Sequence, residues 1–117
     1  MAEVKWFKDL VDEDLSGVTF VRDYVQLHFN PPPTLNVYTP ITVTEGGREI
    51  RSGSPEFANA LIAQIDKFVS QVSIEPGVAI RIEFRDGSAI SFSIRQEDIG
   101  KYDAFTLFDR KGAVFEE

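Results

Sequence analysis

The sequence predicts an α+β fold: a curved, mainly antiparallel sheet, a β-roll or partly open barrel, made of two pseudo-repeated β-meanders. This sheet packs on one main helix at about residues 55–68 and follows a short N-terminal helix. Three observations predict it. Val25, Leu27 and Phe29 alternate with polar residues, then a turn precedes Leu35 and Val37; Ile80, Ile82 and Phe84 do likewise ahead of Ile90 and Phe92. Each run is led by a short apolar segment, Val18-Thr19-Phe20 and Val72-Ser73-Ile74, with one residue of slippage in the first turn. Between the two patterns lies an amphipathic stretch that opens on Ser54-Pro55-Glu56, a helix start.

The elements follow in order. Residues 3–11 read as a short helix, because Val4, Phe7 and Val11 share one face and Trp6 and Leu10 widen it. Its end carries Asp9, Asp12, Glu13 and Asp14, where negative charge opposes the helix dipole. Residues 18–21 form a strand, Arg22-Asp23 a tight turn, and 24–29 a strand with Tyr24, Gln26 and His28 opposite the apolar side. Asn30 and the three prolines after it make a connection that cannot sustain a ladder. Residues 35–38 resume the strand, and Pro40 bends it or places it at an edge. Ile41 and Val43 lead to a Gly46-Gly47 hairpin that returns over 48–51.

The main helix has a stripe of Phe57, Leu61, Ile65 and Phe68, flanked by Ala58, Ile62 and Val69; Asn59, Gln64, Asp66 and Lys67 face water. The second meander takes residues 72–74, a Glu75-Pro76-Gly77 turn of type II, and 78–85. An Asp86-Gly87 hairpin of type I′ then leads into 88–94. Residues 96–100 are a loop or one helical turn, and 104–108 with 113–115 form a last hairpin across Asp109-Arg110-Lys111-Gly112. Identical residues at matching places are few (Ser16/Ser70, Val18/Val72, Phe29/Phe84), so the likeness lies in the pattern.

Composition narrows the function classes. A chain of 117 residues is expected to be a single domain, residues 1–117, and its 43% apolar content with ten Phe supplies one core. No cysteine is present, which excludes disulfides and thiolate metal sites and suits a reducing cytoplasm, the expected location. The N-terminal segment lacks a charged lead ahead of an apolar run, so no secretory leader is expected, and no apolar stretch is long enough to span a membrane. Nineteen acidic against 12 basic residues give a net charge of −7, which disfavours nucleic acid and anionic lipid and leaves room for a basic protein partner.

Motifs for chemistry are sparse. His28 is the single histidine, without HxH or HxxxH spacing and without a serine in a nucleophile elbow. There is no phosphate-binding glycine motif, and Pro31-Pro32-Pro33 is a rigid loop rather than a PxxP ligand. Arg81, Arg85 and Arg95 fall among acids such as Glu83, which reads as a mixed-charge surface. The sequence therefore calls for no catalytic residues, no cofactor and no metal. Its candidate interaction surface is Asp9, Asp12, Glu13 and Asp14 together with Tyr24, Gln26, His28, Asn36 and Tyr38, where tyrosines offer contact area at low entropic cost.

From Gly17-Val18-Thr19-Phe20-Val21-Arg22-Asp23 through Phe29, and again from Ile82-Glu83-Phe84-Arg85-Asp86-Gly87 through Asp98, the chain resembles small bacterial proteins of families without assigned function. The resemblance implies a stand-alone domain and carries over no catalytic residue. By size and charge alone the chain also resembles toxin-neutralising immunity proteins. Three readings are weighed: a non-enzymatic interaction module, which leads; a small-ligand-binding domain inside a curved sheet; and, last, a hydrolase using His28 and nearby carboxylates. Either a monomer or a homodimer fits.

Overall fold

The computed structural model of the chain describes residues 7–30, 33–100, 103–108 and 114–116. Its elements run α1 (Phe7–Leu10), β1 (Leu15–Val21), β2 (Tyr24–Phe29), β3 (Thr34–Val37), β4 (Ile41–Glu45), β5 (Arg48–Arg51), α2 (Phe57–Ile62), β6 (Val69–Glu75), β7 (Ala79–Phe84), β8 (Ala89–Ser93), β9 (Phe105–Phe108) and β10 (Val114–Glu116). The start of the expected first helix, two of the three prolines and the Asp109–Gly112 turn lie outside the described residues.

Local chemistry sets the turns. Val78 N donates to Glu75 O at 2.9 Å, and Gly77 takes φ 75°, the positive value that a type II turn demands after Pro76. Gly46 and Gly47 both take positive φ, 60° and 81°, so β4 and β5 meet through the two-residue turn that matches strand twist. The link at Asp86-Gly87 is longer than a two-residue type I′ turn. Phe84 N donates to Ser88 O and Gly87 N to Phe84 O, and only Gly87 has positive φ. The Asp86 carboxylate accepts from Ser88 N at 2.9 Å, a side-chain turn bond that substitutes for the tighter loop.

The strands make two five-stranded antiparallel sheets, ordered β1-β2-β3-β9-β10 and β5-β4-β8-β7-β6. The expected single curved sheet is thus two, and no closed barrel forms. Each meander is extended by the hairpin of the other half of the chain: β4 pairs with β8, and β9 pairs with β3. Pro40 marks the place where the chain leaves the first sheet and enters the second.

Register agrees between the halves. Leu27 sits opposite Val18 and Leu35, as Ile82 sits opposite Val72 and Ile90. Both meanders carry a bulge at the start of their first strand, between Leu15 and Gly17 and between Val69 and Gln71. At each bulge a serine hydroxyl, Ser16 or Ser70, donates to the carbonyl of His28 or Glu83 at 3.1 and 3.2 Å. The sheets touch at an antiparallel bridge between Asp14 and Phe68. Around it, Asp12 N donates to Val69 O and Asp66 N to Leu15 O, at 2.8 and 2.7 Å, with both aspartates at positive φ.

This corner explains why the main helix is short. The expected helix over 55–68 begins at Phe57 and stops at Ile62, six residues in all. Gln64 N and Ile65 N bond three residues back, and the left-handed Asp66 then turns the chain into the bridge. Val69, placed beside a helical stripe by the sequence pattern, begins β6 instead. Phe57 and Leu61 reach the core, but Ile62 and Phe68 are exposed. The sheets therefore pack on each other and not on a helix. Leu27, Phe29, Leu35 and Val37 of the first sheet join Val43, Ile80, Ile82, Phe84, Ile90 and Phe92 of the second in one hydrophobic cluster. Phe92 meets Phe105 across it, centroids 5.5 Å apart.

Candidate functional site

Alternation along β2 and β3 turns Leu27, Phe29, Leu35 and Val37 inward and leaves Tyr24, Gln26, His28, Asn36 and Tyr38 on the outer face of the first sheet. Sheet pairing aligns Thr19, Gln26, Asn36 and Thr106 on one rung across β1, β2, β3 and β9. The predicted outer-face residues are thus brought together. Thr19, Thr34 and Thr106, which complete the face, were not singled out from sequence, since their relevance depends on pairing between distant strands.

The face is tightly organised. Tyr24 and Tyr38 rings lie 5.3 Å apart at a tilt of 59°. Asn36 Nδ2 donates to the Tyr38 hydroxyl at 3.4 Å, and that hydroxyl donates to Thr106 Oγ1 at 3.1 Å. At the other end the His28 ring shares hydrogen bonds with Thr19 and Thr34, at 2.9 and 3.3 Å. These two bonds occupy both ring nitrogens, so His28 is a held strand residue with no carboxylate hydrogen-bonded to its ring among the described residues. Asn36, one of the candidate interaction residues, is only 7% exposed, and its Oδ1 has no hydrogen-bond partner among the described residues. A buried acceptor without a partner costs on the order of 1–3 kcal/mol. Beside the tyrosine pair opens a cleft of about 330 Å³, lined by Val21, Asp23, Tyr24, Tyr38, Pro40 and Ser52 among others.

Two of the acidic side chains of the α1–β1 segment, Asp12 and Glu13, are committed. Asp12 holds Arg85 at 2.9 Å, and that guanidinium lies 4.9 Å over the Phe68 ring. Glu13 accepts from Asn30 Nδ2 at 3.0 Å, which places the segment beside the His28 end of the outer face. Asp14 forms the bridge to Phe68. Asp9 is exposed on α1.

A second polar cluster was not legible in the sequence. Gln64 and Lys67, expected to face water, are 0% and 19% exposed at the residue and side-chain level respectively. Lys67 Nζ meets Asp86 at 2.9 Å, Glu45 at 3.5 Å, and the Gln64 and Ser88 oxygens at 3.0 Å each. Gln64 Nε2 donates to Glu45 at 2.8 Å, and Ser88 Oγ lies 2.6 Å from Asp86 Oδ1. The Ser88 bonds foremost, then Lys67, push the Asp86 carboxyl down to about 2. A serine–lysine nucleophile needs a free amine and a reachable hydroxyl. Here the amine is bound to two carboxylates and Ser88 is 3% exposed, so the cluster is a clamp joining the α2 turn to the β4–β5 and β7–β8 connections.

Among the described residues, no group of three or more His, Asp or Glu is placed to hold a metal ion, and no helix is long and apolar enough to cross a membrane. Comparison of the chain with protein-family models, curated proteins and solved structures gives no match.

Proposed function

We propose that this protein is a non-enzymatic interaction module that docks a basic protein on the outer face of its first sheet. The observation that carries the reading is the Tyr24–Tyr38 ring pair beside an open cleft. A rigid aromatic face loses little entropy on docking. The adjoining cleft suits one anchoring side chain of the partner. A net charge of −7 favours a basic partner over nucleic acid. A toxin-neutralising immunity protein is the form of such a module that size and charge suit best, working in the cytoplasm as a monomer or homodimer. The matched registers of the two meanders favour an internal repeat, which would make the outer tyrosines a feature acquired by one copy.

Affinity capture from the native host, followed by mass spectrometry, tests this. A basic protein is expected to be captured at low salt and progressively lost as salt rises. Tyr38→Ala should weaken capture at least tenfold while the melting transition stays cooperative. Equal capture by wild type and the Tyr38 variant would sink the proposal.

A further inference from the structure

The second sheet holds an unassigned site on its own outer face. At the places where β2 and β3 present Tyr24 and Tyr38, β7 and β8 present Ala79 and Ser93, which face each other in the ladder. The tyrosine pair sets two rings in contact there; the alanine and serine leave that place without a ring. The opening is a cleft of about 390 Å³, lined by Thr42, Arg51, Ala79, Ser91, Ser93 and Arg95 together with flanking residues. That volume lies in the range of small-molecule sites.

The donors in this cleft outnumber the acceptors. Thr42 and Ser91 are ladder partners on its floor, and their hydroxyls have no hydrogen-bond partner among the described residues. Arg51 has one carboxylate, Glu49, at 3.8 Å on an open surface, a pairing worth little. Arg95 is exposed and forms no ion pair among the described residues. The one lining carboxylate, Asp98, is occupied by the Ser93 hydroxyl at 2.5 Å. Arg81, next to Ser91 on the same rung, is held by Glu83 at 3.0 Å and stays out of the lining. The cleft therefore gathers two guanidinium groups and two free hydroxyls in a chain whose net charge is −7.

We infer that this cleft binds a small molecule through an oxyanion, a phosphate or carboxylate group held by Arg51 and Arg95 over the Thr42 and Ser91 hydroxyls. Guanidinium forks match both anions in geometry, and hydroxyl donors complete their shells. The inference is independent of the docking face on the other sheet.

The test is a titration of the full chain with inorganic phosphate and, separately, with malonate, each at constant ionic strength against a chloride control. Backbone amide shifts of Thr42, Arg51, Ser91 and Arg95 are followed by NMR. A saturable response confined to these residues is expected for at least one of the two anions, and which one responds more strongly distinguishes a phosphate ligand from a carboxylate ligand. Arg51→Gln and Arg95→Gln should each weaken it about tenfold. Both side chains are exposed, so these variants keep the fold. Ala79→Tyr, which rebuilds the arrangement of the first sheet, should abolish the response with both arginines intact. Diffuse or non-saturating shifts for both anions overturn the inference, as does full binding by both arginine variants.

Discussion

On the first sheet the start of β2 and the residue after β3 meet as Tyr24 against Tyr38; on the second, the same place has no ring, between Ala79 and Ser93. One rung further in, Gln26 and Asn36 stand where the second sheet has Arg81 and Ser91. Beyond that, His28, held by two threonines, stands where Glu83 accepts from Arg81 and Gln71. Those two bonds, Arg81 first, hold the Glu83 carboxyl below its usual range. Inside, by contrast, Leu27, Phe29, Leu35 and Val37 match Ile82, Phe84, Ile90 and Phe92 in place and burial. The lesson is that a shared ladder constrains the buried side and leaves the outer side free to specialise. One outer face carries an aromatic pair beside a cleft, the other a charged hollow.

The comparison is most exposed to failure in the core. Phe29→Ala and Phe84→Ala should each cost about 3–5 kcal/mol in denaturant unfolding, because each removes a ring from the same cluster at a matching register. A large inequality between them would mean that the two sheets do not share the core evenly. Next in size is Lys67→Met, expected to cost about 2–3 kcal/mol by removing the cation between the Glu45 and Asp86 carboxylates. Glu13, in the matching place of the other half, has only the surface bond to Asn30, so Glu13→Gln should cost well under half as much.

Smaller again is Tyr24→Ala, at about 1 kcal/mol for the lost ring pair, with a stronger effect on partner capture than on melting. The smallest expected effect is a pH dependence. Asp86 is ionised more readily in the folded chain than in the unfolded one, so its contribution is present above about pH 4 and is lost as pH falls toward 2. Acid titration of wild type against Asp86→Asn should show a shallower loss of stability in the variant over that window alone.

Much of this was legible in the chain itself. Strict alternation through Val25, Leu27 and Phe29 and through Ile80, Ile82 and Phe84 identified the buried faces, because a strand buries every second residue whatever it pairs with. Pro76-Gly77 and Gly46-Gly47 identified their turns for equally local reasons. The outer-face residues Tyr24, Gln26, His28, Asn36 and Tyr38 were legible as a group on the same argument. What alternation cannot convey is the neighbour. Nothing local to Ile41 or Phe105 says that each crosses to the other half, or that Thr106 lies beside Asn36. The helix was overextended because Phe57, Leu61, Ile65 and Phe68 keep a helical period, while the left-handed turn at Asp66 depends on a hydrogen bond to distant Leu15. Gln64 and Lys67 looked like solvent residues for the same reason: their partners Glu45, Asp86 and Ser88 come from other elements.

The exchange of hairpins between the sheets has a consequence for how the chain holds together. Neither half owns a complete sheet, since β3 needs β9 and β8 needs β4. Residues 52–56, between β5 and α2, thus act as a tether that supplies each half with its partner at high effective concentration. A chain opened after Gly53 should still assemble from its two pieces, but with a melting temperature that climbs as the pieces are made more concentrated. In those terms the molecule is a two-body complex written as one polypeptide, and the stretch that looks least structural converts a bimolecular fold into a unimolecular one.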